Sequence, residues 1–327
     1  MKIVCTQENL KTALFSVVRI ISANNTLPIL NNILLKTEDG SLKISSTNLE
    51  IGISTQTRCK IEEEGEITTN AKTITDLINN LPNKNISLST KNQTLNIITE
   101  NYNTNIKTLP AEDFPQIPQI ENYTSLEIPG QELKKVLEQV VFAVSTNQTQ
   151  LEISGVLFSL ENTDLTVVAT DRYRLAEKKQ QIISTPNKKQ VIIPQKTILE
   201  IIRAIGQYNE KVFLKISETQ VCFIVGETQI ISRLIDGQYP DYKQIIPTEF
   251  TTTCVVEKQF LVNALKTSGI FSQITNSVVF EYQNEKQILV LSTESVGLGK
   301  SEIEIAALIK GGGWKTDFEL SVCFRCT

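Results

Sequence analysis

Leu42-Lys-Ile-Ser-Ser-Thr47-Asn48 returns as Leu165-Thr-Val-Val-Ala-Thr170-Asp171, and again as Ile288-Leu-Val-Leu-Ser-Thr293-Glu294. The three threonines are separated by 123 residues in both steps. Each stretch is an apolar strand run ending in Thr and then an acidic or amide residue. One short match means little; three at a single lag mean a chain of repeated domains. Working outward, Ile33-Leu34-Leu35, Val156-Leu157-Phe158 and Val279-Phe280-Glu281 precede the signature at the same lag. Between each pair lies a polar turn, which predicts a β-hairpin in every copy.

Each copy opens alike. A short strand (2–6, 125–128, 252–256) leads into an amphipathic helix. Leu10, Leu14 and Val17 recur as Leu133, Leu137 and Val140 at helical spacing, and the third copy carries Phe260, Leu261, Leu265 and Ser268. A second helix follows in two copies, over 72–81 and 196–205. Thr108-Leu-Pro-Ala-Glu-Asp-Phe-Pro115 and Arg233-Leu-Ile-Asp-Gly-Gln-Tyr-Pro240 close the first two units, their prolines marking the run-out into linkers. The expected units are 1–121, 122–249 and 250–327. Alternating strands with two helices per copy predict an α+β domain, sheet on one side and helices on the other. The third unit has about 77 residues against about 123 in the others. It is expected to be truncated or frame-shifted, lacking its second helix and final strands, with an atypical tail after about 310.

Composition excludes several classes. The chain has no histidine, which removes Ser-His-Asp and Cys-His sites. No run approaches 18 apolar residues, and the N-terminal strand lacks a signal-peptide core. Six scattered cysteines suggest reduced thiols in a cytosol. The net charge of −4 speaks against a simple adhesive nucleic-acid binder. Cys323-x-x-Cys326 lacks a second pair for zinc. Gly311-Gly-Gly-Trp-Lys-Thr has Trp314 where a phosphate loop needs Gly. Glu62-Glu-Glu64 reads as a solvated loop, and nothing places Asp171 near Asp241. No catalytic residue, cofactor or metal is expected. A non-enzymatic binding factor, an enzyme or small-molecule binder with a site between repeats, and a purely structural repeat protein are the competing readings. The missing His and phosphate loop count against the second, and divergence of the middle signature against the third.

Four motifs carry a resemblance: Thr26-Leu-Pro-Ile-Leu-Asn-Asn-Ile-Leu-Leu35, 108–115, Val168-Ala-Thr-Asp-Arg-Tyr-Arg-Leu-Ala176 and Leu234-Ile-Asp-Gly-Gln-Tyr-Pro-Asp-Tyr242. In that order they resemble the bacterial sliding clamp, the beta subunit of DNA polymerase III. The resemblance implies a DNA-clamp fold of three similar domains, sheets outside and helices inside. It implies a head-to-tail homodimeric ring around duplex DNA, bound without sequence specificity. It also implies partners (the polymerase catalytic subunit, the clamp loader, repair proteins) that dock through short linear motifs.

Candidate DNA-facing residues are the helix cations. Lys11/Lys134 and Lys72/Lys196 are repeat-equivalent pairs, joined by Arg19, Lys135, Arg203 and Lys266. Two loops matching DNA-approaching stretches of the family add Asn24 and Gln148. Carried over by position, the partner-peptide pocket comprises Ile153, Thr170, Arg172, Tyr173, Arg174, Leu175, Pro240 and Ile245. An aromatic and guanidinium groups beside aliphatics suit a peptide anchor. The dimer interface maps to Ile106, Ile270 and Phe271, for each of which core packing is the competing role. With the third unit incomplete, the resemblance implies a pocket open on one wall. It also implies a chain that is monomeric or aggregating, disordered past about 310. The expected location is cytoplasmic, with no membrane partner.

Overall fold

The computed structural model describes residues 1–21, 27–147, 149–182, 188–206, 211–250, 252–271, 278–295, 297–311 and 315–316. The first repeat contains β1 (Lys2–Thr6), α1 (Gln7–Val17), β2 (Asn32–Glu38), β3 (Ser41–Thr47), β4 (Ile51–Arg58), β5 (Lys60–Glu63), β6 (Glu66–Asn70), α2 (Ala71–Asn80), β7 (Asn85–Lys91), β8 (Thr94–Thr99) and β9 (Tyr102–Leu109). The second contains β10 (Thr124–Pro129), α3 (Gly130–Glu138), β11 (Gly155–Glu161), β12 (Asp164–Thr170), β13 (Leu175–Gln181), β14 (Lys189–Pro194), α4 (Gln195–Ile205), β15 (Lys211–Ile216), β16 (Gln220–Val225) and β17 (Thr228–Arg233). The third contains β18 (Thr252–Val256), α5 (Lys258–Phe271), β19 (Val279–Gln283), β20 (Ile288–Ser295), β21 (Gly299–Gly311) and β22 (Lys315–Thr316).

Local chemistry sets the helix starts. Thr6 caps α1, its Oγ1 accepting the Asn9 N–H at 3.3 Å, and Asn70 caps α2 through the Thr73 N–H at 3.0 Å. The second repeat reaches the same result with Pro129 and Pro194, whose rings hold φ at −56° and −55° and need no side-chain cap. Leu10, Leu14, Val17, Leu133, Leu137 and Val140 are all fully buried. Val140 achieves this beyond the end of α3, in a turn closed by its N–H to the Leu137 carbonyl at 3.1 Å.

The chain forms two compact units, 1–240 and 241–327. In the first, thirteen strands run in the order β10-β15-β16-β17-β4-β3-β2-β6-β9-β8-β7-β1-β5, and a separate sheet runs β13-β12-β11-β14. The two repeats are joined by β17 on β4, antiparallel from Thr228↔Thr55 to Ser232↔Ile51. One apolar core runs through both repeats and includes Phe158 edge-on to Phe223, centroids 6.4 Å apart.

In the second unit the order is β18-β21-β20-β19-β22 around a smaller core of Ala264, Phe280, Leu289, Leu291, Ile305, Ala307 and Ile309. Here α5 buries Ala264 and Ser268, whereas Phe260, expected on the apolar face, is 58% exposed. Leu261 and Leu265 pack half-buried against that core beside Ala264 and Ser268, as expected. Past residue 310 the strand β21 runs on to Gly311, and Lys315–Thr316 pair with β19. The rest of the tail, on which the expectation of disorder falls, lies outside the described residues. Among the described residues no helix is long and apolar enough to cross a membrane.

Candidate functional site

The repeated signature folds into the same turn in both copies of the first unit. In the first copy Thr47 Oγ1 donates to the Ile51 carbonyl at 3.1 Å and accepts the Leu49 N–H at 3.0 Å. Asn48 Oδ1 accepts the N–H groups of Glu50 and Ile51 at 3.0 and 2.8 Å. In the second copy Thr170 Oγ1 donates to the Arg174 carbonyl at 2.8 Å and accepts the Arg172 N–H at 3.1 Å. Asp171 Oδ1 accepts Tyr173 and Arg174 N–H, both at 3.0 Å. Leu49 and Arg172 hold left-handed φ of +74° and +78°. An Asx side chain that stands in for a backbone acceptor stabilises this otherwise costly geometry. That is why Thr-Asn/Asp recurs. The third copy has Glu294, whose longer side chain does not suit this turn, and its Thr293 Oγ1 donates to the Ser268 carbonyl at 3.4 Å.

The turn chemistry is shared, but the displayed groups differ. In the second copy Tyr173 is 98% exposed. The Arg174 guanidinium pairs with Asp171 Oδ2 at 2.9 Å and lies 5.4 Å from the Phe142 ring centroid. Burial pushes the Asp171 carboxyl up, but the Arg174 and Tyr173 N–H groups and the Arg174 guanidinium outweigh it, and the net pKa falls below the ordinary value. Thr170 is buried and Leu175 half-buried. Beneath them Tyr239 is buried, with the Thr170 backbone beside its hydroxyl; burial pushes its pKa up to about 12.

Thr170, Arg172, Tyr173, Arg174 and Leu175 thus meet at one strand end. Ile153 is a core residue, 3% exposed, in a short 3-10 turn, and Pro240 is exposed. Ile245 belongs to the second unit, where it is 64% exposed. Phe142 and Tyr239 were missed as site residues. The available signal was an aromatic at the position where the first repeat carries Arg19.

The helix cations separate on inspection. Lys11, Arg19 and Arg203 line one groove of about 750 Å³ between α1 and α4, together with Glu8, Glu200 and Phe15. Lys11 Nζ lies 6.0 Å from the Phe15 ring centroid, and Arg203 is ion-paired with the buried Glu200. Lys134, the repeat partner of Lys11, is spent on structure: it donates to the Gly206 carbonyl at 2.6 Å and lies 3.9 Å from Glu138. Lys72 and Lys196 are exposed in the first turns of α2 and α4, Lys135 is exposed on α3, and Lys266 is exposed in the second unit. Asn24 and Gln148 lie outside the described residues. Of the interface candidates, Ile270 is 60% exposed and Phe271 half-buried. Ile106 is 7% exposed and packs in the first unit's core; alternation on β9 turns it inward between Asn105 and Lys107.

The comparisons with known proteins define the class. Residues 1–118 match the N-terminal domain of the DNA polymerase III beta subunit, and 127–241 match its central domain. The beta sliding clamp of Synechocystis sp. is 30% identical over 344 residues, covering 98% of this chain and 88% of that protein. The crystal structure of the Bacillus subtilis DNA polymerase sliding clamp superposes with a TM-score of 0.93 at 29% identity, covering 97% and 87% of the two chains. The Pseudomonas aeruginosa sliding clamp bound to griselimycin gives 0.91 at 27% identity, covering the same 97% and 87%.

The fold is therefore that of a polymerase processivity clamp. The chain belongs to the bacterial beta sliding clamp family, the beta subunit of DNA polymerase III. Its role is that of a DNA sliding clamp, and it is a non-catalytic subunit.

Proposed function

We propose that clamp domains 1–121, 122–249 and 250 onward assemble head-to-tail, where the third repeat is complete, into a homodimeric ring that encloses duplex DNA. The observation that carries the reading is the β17–β4 junction. It is a main-chain seam between consecutive repeats, reinforced by Thr55 Oγ1 and Thr228 Oγ1 at 3.0 Å. The first repeat's equivalent of β17 is β9. Over Tyr102–Lys107 it pairs with β8 on one side, and among the described residues no strand occupies the other; β6 meets it only at Thr108 and Leu109. An open strand edge of this kind is a template for a second chain. Ile270 and Phe271 are the apolar residues of the third repeat proposed to support that seam.

In this reading Lys11, Arg19, Arg203, Lys72, Lys196, Lys135 and Lys266 face the DNA. Phosphate contacts without base contacts carry no sequence information and permit sliding. The acids that share the groove with Lys11 and Arg203 keep the grip weak. The turn at 170–175, with Pro240, receives short hydrophobic segments of the polymerase, the clamp loader and repair proteins in the cytoplasm.

The test is topological. Loaded on nicked circular DNA, the protein with its third repeat completed is expected to remain bound through a high-salt wash and to leave when the circle is linearised. Equal retention on both forms would sink the ring.

A further inference from the structure

The counterpart of the partner-binding turn in the first repeat is already occupied by the chain itself. Gly52 of β4 stands where the second repeat has Leu175. A Cβ added at Gly52 would lie 2.8 Å from Ile117 Cγ2 and 3.2 Å from both Cγ1 and Cδ1. Ile117 belongs to the segment after β9, Phe114-Pro-Gln-Ile-Pro-Gln-Ile-Glu121, which has neither strand nor helix. Its apolar contacts recur every third residue, with Phe114 buried and Ile117 and Ile120 half-buried; Pro115 beside Phe114 is half-buried too, while Gln116, Pro118 and Gln119 are exposed. Three residues per turn is the repeat of a polyproline-type extended chain, and Pro115 and Pro118 stiffen the segment in that form. It lays one apolar edge on the first repeat, as an extended ligand lies on a recognition surface. In the second repeat the residue at the position of Ile117 is Tyr242, and there the chain folds into the 3-10 helix Tyr242–Ile245.

We propose that the segment Phe114–Glu121 is a built-in ligand that closes the first repeat's version of the docking surface. Gly52 makes room for Ile117, and Leu175 denies that room in the second repeat. The two surfaces share one turn; a single side chain decides which one its own linker covers. When the segment lifts, the first repeat presents a second surface, suited to an extended peptide with an aliphatic anchor. This extends the partner-peptide reading of the second repeat to the first, but occupancy by the linker can be tested without it.

The probe is a fluorescent synthetic octapeptide of sequence 114–121, titrated by anisotropy. Every protein carries Tyr173→Ala and Leu175→Ala, so that the second repeat does not contribute. With the linker intact, binding is expected to be at least about tenfold weaker than to the Ile117→Ala variant, whose surface is vacated. Adding Gly52→Leu to Ile117→Ala is expected to abolish the gain. Equal binding with and without Ile117, or no binding to Ile117→Ala, overturns the proposal.

Gly52→Leu sits at the buried start of β4 and can fail to fold, so Gly52→Ala is followed by hydrogen exchange of the intact chain. Exchange at the Ile117 amide is expected to speed up about tenfold, with β4 amides unchanged. Unchanged exchange at Ile117 overturns the contact. Failure of the second-repeat reading is seen separately, as hydrophobic partner peptides that bind equally with and without Tyr173→Ala/Leu175→Ala.

Discussion

The turns at Thr47–Gly52 and Thr170–Leu175 are built from the same four hydrogen bonds to Thr and Asx side chains and the same left-handed residue, yet they present opposite surfaces. The first shows Leu49 and Glu50 to solvent and hides Gly52 under Ile117. The second shows Arg172, Tyr173 and Arg174 and keeps Leu175 half-buried. Scaffold and display are therefore separable. Thr and Asn/Asp fix the backbone, and the residues in between are free to acquire a function. A strand end is suited to this because its side chains are positioned by the sheet without being consumed by its core.

The largest effect that tests this separation is at the display residues. Tyr173→Ala with Leu175→Ala is expected to weaken a hydrophobic partner peptide by about 30-fold or more, as loss of a central anchor does. Leu49→Ala with Glu50→Ala is expected to leave it unchanged. Isothermal titration of both variants decides. A comparable loss from the first-repeat pair would mean that the turns are not functionally distinct.

Next come the scaffold residues. Asn48→Ala and Asp171→Ala each remove an Oδ1 that accepts two backbone N–H groups, but Asp171→Ala also loses a charged pair with Arg174. The expected costs in urea unfolding are about 1 kcal/mol for Asn48 and about 2 kcal/mol for Asp171, charged acceptors being the stronger. The two repeats share one core, so a single transition reports both. If Asp171→Ala proved the milder change, the shared-scaffold account would need revision.

A third contrast lies on the helices. Lys11 and Lys134 occupy one repeat position, but Lys134 is bound to the Gly206 carbonyl. Lys11→Ala is expected to reduce the salt dependence of DNA binding by about one unit of slope, and Lys134→Ala by about none. Equal slopes would mean that the Lys134 contact opens on DNA.

Much of this was legible in the sequence, for a physical reason. Hairpins and helices are local, and the 123-residue lag sampled them repeatedly; the strands, turns and both helix pairs fall within a residue or two of the expected ranges. What stayed hidden is what depends on distant partners. The β17–β4 seam leaves no local mark, since either strand alone reads as an edge or a centre. The burial of Ile117 against Gly52 joins a linker to a strand 65 positions earlier. Ile106 maps to an interface by family position, and Asn105 and Lys107 on either side turn its own side chain inward. Phe260 misled because α5 packs through Leu261, Ala264, Leu265 and Ser268, a face that leaves position 260 outside.

The smallest expected effect sharpens the comparison at one atom. The first turn uses an amide, Asn48, and the second a carboxylate, Asp171, in the same place. Only the carboxylate titrates. Its folded pKa is lowered: burial opposes ionisation, but the N–H groups of Arg174 and Tyr173 and the Arg174 guanidinium more than offset it. A lowered folded pKa means that the unfolded chain takes up the proton first as the solution is acidified. The stabilisation is thus complete above the unfolded value of about 3.9 and is lost as pH falls through the lower folded value. Because the side chain is partly solvated, the amount is expected to be under about 1 kcal/mol. Asp171→Asn keeps the two N–H acceptor bonds and removes the titration. Its stability deficit relative to wild type is therefore expected to be constant from pH 7 to about 5 and to shrink below about 4. Urea midpoints for both proteins across that range measure it. A deficit that did not change with pH would show that Asp171 serves the turn as Asn48 does, by geometry alone, and that its charge is for the partner rather than the fold.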